Sequence, residues 1–251
     1  MSQSEKVAIV TGGGRGLGAA ISRVLAHDGY AVVVNYSDDE TSAERTVNDI
    51  RAAGSRAIAV QADVSKEEDV LRMFRTAETE FGVPTVLVNN GGITGGFSRV
   101  EAISSGVVER VFAVNVIGAF LCCREAVKRM STKHGGHGGV IVNLSSRAAQ
   151  LGGSGEWVHY AATKGAIDTL TVGLAREVAL EGIRVNAVAA GLIETDLHAA
   201  AGDPDRTARL SATIPMGRAG TVDDVAESVR WLVSPLAAYV TAAIVAVSGG
   251  R

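Results

Sequence analysis

Thr11-Gly12-Gly13-Gly14-Arg15-Gly16-Leu17-Gly18 decides how this chain is read. The stretch follows an apolar, β-branched run at 6–10 and opens a helical pattern at 17–27. A glycine-rich turn between a strand and a helix lets main-chain amides close on a phosphate, at the helix end whose dipole favours an anion. Gly14-x-Gly16-x-x-Ala19 meets a loose dinucleotide pattern, and Thr-Gly-x-x-x-Gly-x-Gly, Thr11 through Gly18, is the better register. No Gly-Lys-Ser/Thr follows the turn, which removes a P-loop NTPase. A tight turn that binds nothing is the plain alternative.

Outward from the turn, strand-like and helical runs alternate to the end of the chain. Strands are expected at 31–35, 57–61, 85–88, 140–144, 184–188 and 242–247. Helices are expected at 39–53, 66–81, 104–114, 116–130, 160–180 and 221–232, the last with Thr221 as N-cap and Asp223 and Asp224 in its first turn. Strict alternation implies an α/β fold: a single-domain, doubly wound parallel sheet of about seven strands over 1–251, with helices on both faces. Two stretches break the rhythm. His134-Gly135-Gly136-His137-Gly138-Gly139 reads as a flexible connector. Residues 191–213 follow the sixth strand's carboxyl end, where open sheets bind ligands, and are expected to be a mobile substrate loop.

Composition agrees with such a core. The 251 residues are 47% hydrophobic but only 4% aromatic, so Val, Ala, Ile and Leu must fill it, as in a buried parallel sheet. A formal net charge of −3 leaves no basic footprint for nucleic acid. No apolar run approaches the ~20 residues of a membrane span. Residues 1–6 lead into the first strand without a signal-peptide pattern, and Cys122 and Cys123 read as free thiols, so a cytoplasmic address is expected.

Tyr160 and Lys164 carry the chemistry. Four residues apart, they share a helix face. An isolated phenol has a pKa of ~10, too high for proton exchange near neutrality, and an adjacent ammonium favours the phenolate. Ser145 and Ser146 end a strand and alternate faces, so one can reach the site. Such a hydroxyl can donate to a substrate oxygen as charge develops. The other is expected to bond the main chain. Asn115 is a poor choice for a helix interior, which hints at a buried role.

These motifs resemble the short-chain dehydrogenase/reductase family from end to end. Thr11-Gly12…Gly16-Leu17-Gly18 resembles its cofactor turn, Ala62-Asp63-Val64 its adenine segment, and Asn89-Asn90-Gly91-Gly92 its Asn-Asn-Ala-Gly motif. Asn115 within Phe112-Ala113-Val114-Asn115-Val116 resembles its active-site asparagine, and Tyr160-Ala161-Ala162-Thr163-Lys164 its signature. Bacterial members labelled glucose 1-dehydrogenase or 3-oxoacyl carrier-protein reductase are the most similar in motif. The resemblance implies a Rossmann-like fold and NAD(P)-dependent hydride transfer between a carbonyl and an alcohol. It implies Tyr160 as general acid/base, Lys164 beside it, and Ser146, fourteen residues before Tyr160, as the serine. Asn115 would hold a water leading to Lys164. Gly12, Arg15, Gly16, Leu17, Gly18, Asn35, Tyr36, Ser37, Asp63, Val64, Asn90, Gly91, Tyr160, Lys164, Gly191, Ile193 and Thr195 would contact the cofactor. A homotetramer is implied, with contacts through Ala161, Ala162, Ala166, Leu170 and Leu174 and through the last strand.

Cofactor choice rests on Asn35-Tyr36-Ser37. An acid at the end of the second strand would bind a ribose 2′-hydroxyl and repel a 2′-phosphate. Tyr36 stands there instead, and Arg15 can pair with a phosphate. NADP is therefore expected over NAD, although Asp38, Asp39 and Glu40 follow at once. Two residues depart from the family pattern. Gly91 for alanine should loosen the backbone, and Ala190 for proline removes a φ lock. His134 and His137 lack the acidic or Cys partners of a metal site, so no metal is expected. His159, Trp157, Phe97 and His198 can line a substrate pocket or simply pack. A non-catalytic dinucleotide sensor on the same fold is the competing reading.

Overall fold

The computed structural model describes residues 6–195 and 201–251. Its strands are β1 (Val7–Val10), β2 (Ala31–Tyr36), β3 (Ala57–Gln61), β4 (Val86–Asn89), β5 (Gly139–Ser146), β6 (Ile183–Ala190) and β7 (Ile244–Val247). They form one seven-stranded sheet in the order β3-β2-β1-β4-β5-β6-β7, every neighbour parallel. The order runs outward in both directions from β1 and β4, so the crevice between their carboxyl ends is the topological switch point.

Alternate residues of each strand feed two cores. Ala8 and Val10 of β1 pack with Ile21 and Leu25 of α1 (Gly16–His27), Val47 and Ile50 of α2 (Glu40–Ala52) and Val229. Ile9, between them, faces Met73 and Phe74 of α3 (Glu67–Glu80) and residues near Ala126 and Ile167. Both faces are covered, which is why the strands read as unbroken apolar runs. The two cysteines are free and buried, and burial pushes the Cys123 thiol up to about 12.

The pair of helices expected at 104–114 and 116–130 is one continuous element. α4 (Ser105–Phe112) passes through a π turn, Ala113–Ile117, into α5 (Gly118–Met130). The joined helix, Ser105–Met130, has 26 residues, and its most apolar 18-residue window has a mean hydropathy of 1.7, enough by length and composition alone to cross a membrane, although charged residues still interrupt every apolar run. Cys122, Ala126 and Met130 are buried under the sheet and Val111 is buried too, whereas Ile117 and Phe120 are each 52% exposed.

α6 (Ala148–Leu151) and α7 (Val158–Val178) follow β5. Within 201–213 the chain forms a short helix, α8 (Arg206–Leu210), and a 3-10 turn, Ser211–Thr213. His198 lies outside the described residues. α9 (Val222–Val233) carries the expected cap in full: Thr221 Oγ1 accepts from Asp224 N at 3.2 Å, and Asp224 Oδ2 accepts from Thr221 N at 2.8 Å. β7 starts two residues later than expected because Ala242 takes a left-handed φ of 61°.

Candidate active site

The segments that leave β1 to β6 line one cleft of about 780 Å³. At one end lies the glycine turn. Gly16 takes φ +51°, which favours glycine. A Cβ on Gly18 would stand 2.0 Å from Gly12 O, so only glycine lets the helix start so close to the turn. α1 begins after Arg15 with no side-chain cap, leaving first-turn amides without that partner at the cleft. Asn35 fastens the turn: its Oδ1 accepts from Gly12 N at 3.2 Å, and its Nδ2 donates to Val60 O and Ala62 O. The polar atoms of Asn35 are thus used by the fold.

Tyr36 ends β2 and Ser37 follows it, and Asp63 and Val64 follow β3. Asp63 Oδ1 accepts from Ser65 Oγ at 2.6 Å, while Oδ2 pairs with Arg110 at 3.1 Å. After β4, Thr11 Oγ1 accepts from the amides of Asn90 (3.0 Å) and Gly91 (2.9 Å). Those bonds hold the backbone that Gly91 was expected to loosen. Ala190 is likewise held without a proline ring, paired in the ladder between Ser146 and Val247. Gly191, Ile193 and Thr195 close the cleft from β6, with Ile193 bridged to Gly220 and Thr195 4.0 Å from the Cβ position of Gly16.

At the other end, α7 brings Tyr160 and Lys164 to Ser146 at the tip of β5. Lys164 Nζ lies 5.6 Å from the Tyr160 ring centre and donates to Leu144 O at 2.6 Å. Burial pushes the phenol up to about 12, while hydrogen bonding with Ser146 pulls it down. This reverses the expected direction, because the cost of a buried phenolate exceeds what the Ser146 hydrogen bond returns. Burial also lowers Lys164 to about 8, opposed by the carboxylate of Asp168.

Asn115 lies behind this group, in the π turn, and does not line the cleft. Its Oδ1 accepts from Ile93 N at 2.8 Å, and its Nδ2 donates to Ile93 O at 2.9 Å and Thr163 Oγ1 at 3.1 Å. The side chain expected to hold a water therefore pins the segment after β4. A Cβ on Gly92 would sit 3.2 Å from Asn115 Oδ1 and 3.8 Å from Lys164 Nζ, so the two side chains flank that one glycine. A π turn inside a long helix frequently marks a functional site, and the sequence carried no sign of it beyond Asn115 itself.

The residues present fit a dinucleotide: a first helical turn without a side-chain cap faces a glycine cradle, and a buried Tyr–Lys–Ser group stands at the far end of the same cleft. A family model described as enoyl-(acyl carrier protein) reductase matches residues 12–251. The chain is 48% identical over 245 residues to a protein of Escherichia coli (strain K12) called uncharacterized oxidoreductase YgfF, spanning 98% of this chain and 99% of that one. It belongs to the short-chain dehydrogenase/reductase family. It is also 42% identical over 249 residues to 3beta-hydroxysteroid dehydrogenase 1 of Eggerthella lenta, covering 98% and 93% of the two chains. Among solved structures it is similar to a blue fluorescent protein from a metagenomic library in complex with NADPH, with a TM-score of 0.88, 36% identity, and 98% and 97% coverage.

Several residues at this short-chain dehydrogenase's cleft escaped the sequence reading. Arg206 of α8 is buried, pairs with both oxygens of Glu156 at 2.8 and 2.5 Å, and lies over the Trp157 ring at 4.7 Å. Trp157, one of the expected pocket candidates, lines the cleft, stacks on Phe97 at 4.9 Å and stands 5.5 Å from the Tyr160 ring, while Phe97 itself packs behind it. Arg206 and Glu156 lie 50 positions apart, so no local pattern announces them. Asp168 was findable, one helical turn beyond Lys164. Ser145, expected to bond main chain, donates to Asp168 Oδ1 at 2.5 Å, with only a long 3.4 Å contact to Lys164 O. His159 turns inward to Thr94 O at 2.8 Å, away from the cleft. Among the described residues, no three His, Cys, Asp or Glu side chains gather as a metal site.

Proposed function

We propose that the chain is an NADP-dependent oxidoreductase that interconverts a carbonyl and an alcohol, with Tyr160 as general acid and base. The observation that carries the reading is the meeting of Ser146, Tyr160 and Lys164 at one end of a cleft that begins at the glycine turn. The dinucleotide, when bound, supplies or accepts the hydride. Tyr160 gives its phenolic proton to the carbonyl oxygen in reduction and takes it back in oxidation. Ser146 donates to that oxygen as negative charge grows on it. Lys164 stabilises the phenolate left behind. Trp157, Leu151, Leu192 and Leu210 give the cleft part of its apolar lining. The Eggerthella relative, named for a hydroxysteroid reaction, supports an alcohol–carbonyl substrate class.

NADP is preferred on charge. Asp39, which Arg15 attracts, caps a helix, its Oδ1 accepting from Ser42 N at 3.0 Å, and Asp38 accepts from Ser37 Oγ. Tyr36 brings no charge, and Arg15 lines the same end of the cleft, with Asp38 and Asp39 beside it; a 2′-phosphate there would pair with Arg15. The NADPH complex of the metagenomic relative supports the same choice.

Following NADPH absorbance across a panel of aldehydes, ketones, oxosteroids and 3-oxoacyl thioesters tests the reading. Turnover of at least one carbonyl is expected. Tight NADPH binding with no turnover of any would make the chain a nucleotide sensor instead.

A further inference from the structure

We propose that Asp168 is a positioning residue for this site: its carboxylate, fixed by Ser145 and Gln150, stands one helical turn beyond Lys164 and holds that lysine as an ammonium beside Tyr160. The inference rests on the reading of Lys164 given above.

Three parts of the fold meet at Asp168. Its own helix, α7, sets it at i+4 from Lys164, on the same face. From β5, Ser145 Oγ donates to Oδ1 at 2.5 Å. From α6, Gln150 Nε2 donates to Oδ2 at 3.2 Å. Both carboxylate oxygens accept, each from a separate donor, which is the bonding of an ionised, acceptor-only group. Gln150 is oriented in turn by Arg147, whose Nη1 donates to Gln150 Oε1 at 3.0 Å. The carboxylate thus belongs to a directed chain, Arg147 to Gln150 to Asp168, with Ser145 on the other side. Ser145 immediately precedes Ser146, so the same bond steadies the strand tip that carries the reacting hydroxyl.

Lys164 needs such a neighbour. It is buried, and its one bond given above is to a neutral carbonyl, Leu144 O at 2.6 Å. A buried amine with only that carbonyl for company would shed its proton readily. Among the described residues, the titratable group on α7 that acts on Asp168 is Lys164. Beside α6 there is Arg147. β5 presents Ser145 and Ser146, and the charged residue of β6, Arg184, lies at the opposite end of that strand, bonded to Val240 O. Among the described residues, Asp168 is the anion whose Coulomb attraction opposes the lowering of Lys164 that burial causes. Burial also raises the carboxyl of Asp168, and Ser145 and then Lys164 oppose that rise.

The test combines Asp168→Asn, which keeps the shape but removes the charge and turns one acceptor oxygen into an amide donor, with Asp168→Glu. Lysine-ε-13C NMR of the cofactor-free protein follows the Lys164 titration directly. In Asp168→Asn its midpoint should fall by about one pH unit, and the alkaline limb of kcat should move down with it, a loss of about tenfold where the limb is steep. KM should change little, and Asp168→Glu should recover most of the shift. A lower melting temperature with an unmoved Lys164 titration and an unmoved limb overturns the proposal and leaves Asp168 a packing residue. Should Asp168→Asn not fold, the carboxyl-13C shift of the wild-type protein decides, because a protonated Asp168 at pH 7 also overturns it. Wild-type protein that reduces no carbonyl would instead sink the functional reading, and the Lys164 titration would still judge Asp168.

Discussion

Tyr160 is the residue on which the proposed chemistry turns. Tyr160→Phe removes the transferable proton and keeps the ring that packs beside Trp157. It should lower kcat by about 10²–10⁴-fold and leave the NADPH dissociation constant nearly unchanged. Near-normal turnover in stopped-flow assays would end the assignment. Burial keeps the phenol protonated at neutrality, which suits proton donation to a carbonyl. The pH dependence of reduction should then follow Lys164. With its pKa lowered to about 8, the lysine is charged below that pH and neutral above it, so kcat should be level through neutrality and decline through about pH 8. A profile level to pH 10 contradicts the role given to the ammonium. At the far end of the cleft, Tyr36→Asp should reverse a preference for NADPH over NADH, since it sets a carboxylate where a 2′-phosphate would sit. Equal kcat/KM for the two cofactors in the native protein would refute the reading of Arg15 and Tyr36.

Elements differ in what anchors them. α8 is tied to the cleft by a long-range clasp: Arg206 reaches Glu156 and covers the Trp157 and Phe97 rings, while Leu210 packs on Leu192 and Ile214. A charge-assisted pair of this kind contributes about 1.5–3 kcal/mol. Arg206→Ala should therefore raise KM for the carbonyl substrate by about tenfold or more, while the affinity for NADPH stays put. An unchanged KM would show that α8 does not shape the substrate end. α9 is anchored by its own sequence. Thr221→Ala removes the capping box and should cost about 1 kcal/mol in urea denaturation. Caps of this type were readable from Thr221 and Asp224 alone because their partners lie within one turn. The Arg206 clasp was not, because both partners depend on where two distant loops come to rest.

The whole molecule leaves apolar surface uncovered along its last strand and one helix face. Ile244 of the edge strand β7 is 36% exposed, and Leu236 and Tyr239 just before it are more so. On α7, Ala161 and Leu170, offered earlier as contacts, are buried within the chain; the outward line is Ala162, Thr169 and Gly173. An open edge strand and a smooth line of small residues both suit closure against copies of the same chain. A homotetramer is the expected assembly, and light scattering coupled to size exclusion at micromolar concentration checks it. A mass near 25.8 kDa would refute it, and a dimer would leave one of the two surfaces without a partner.

Periodicity and punctuation in the chain determined the α/β architecture, because alternation of strand and helix is written in local residue order. They determined the glycine turn, since steric demands at Gly16 and Gly18 act between near neighbours. The pairing of Tyr160 with Lys164 followed from helix geometry alone. Tertiary structure decided what depends on distant segments. It spent the Asn115 side chain on Ile93 and Thr163, joined two expected helices through a π turn, and brought Ser145 to Asp168. It also reversed the expected shift of Tyr160, because desolvation is a property of everything that surrounds a side chain and no spacing along the chain encodes it.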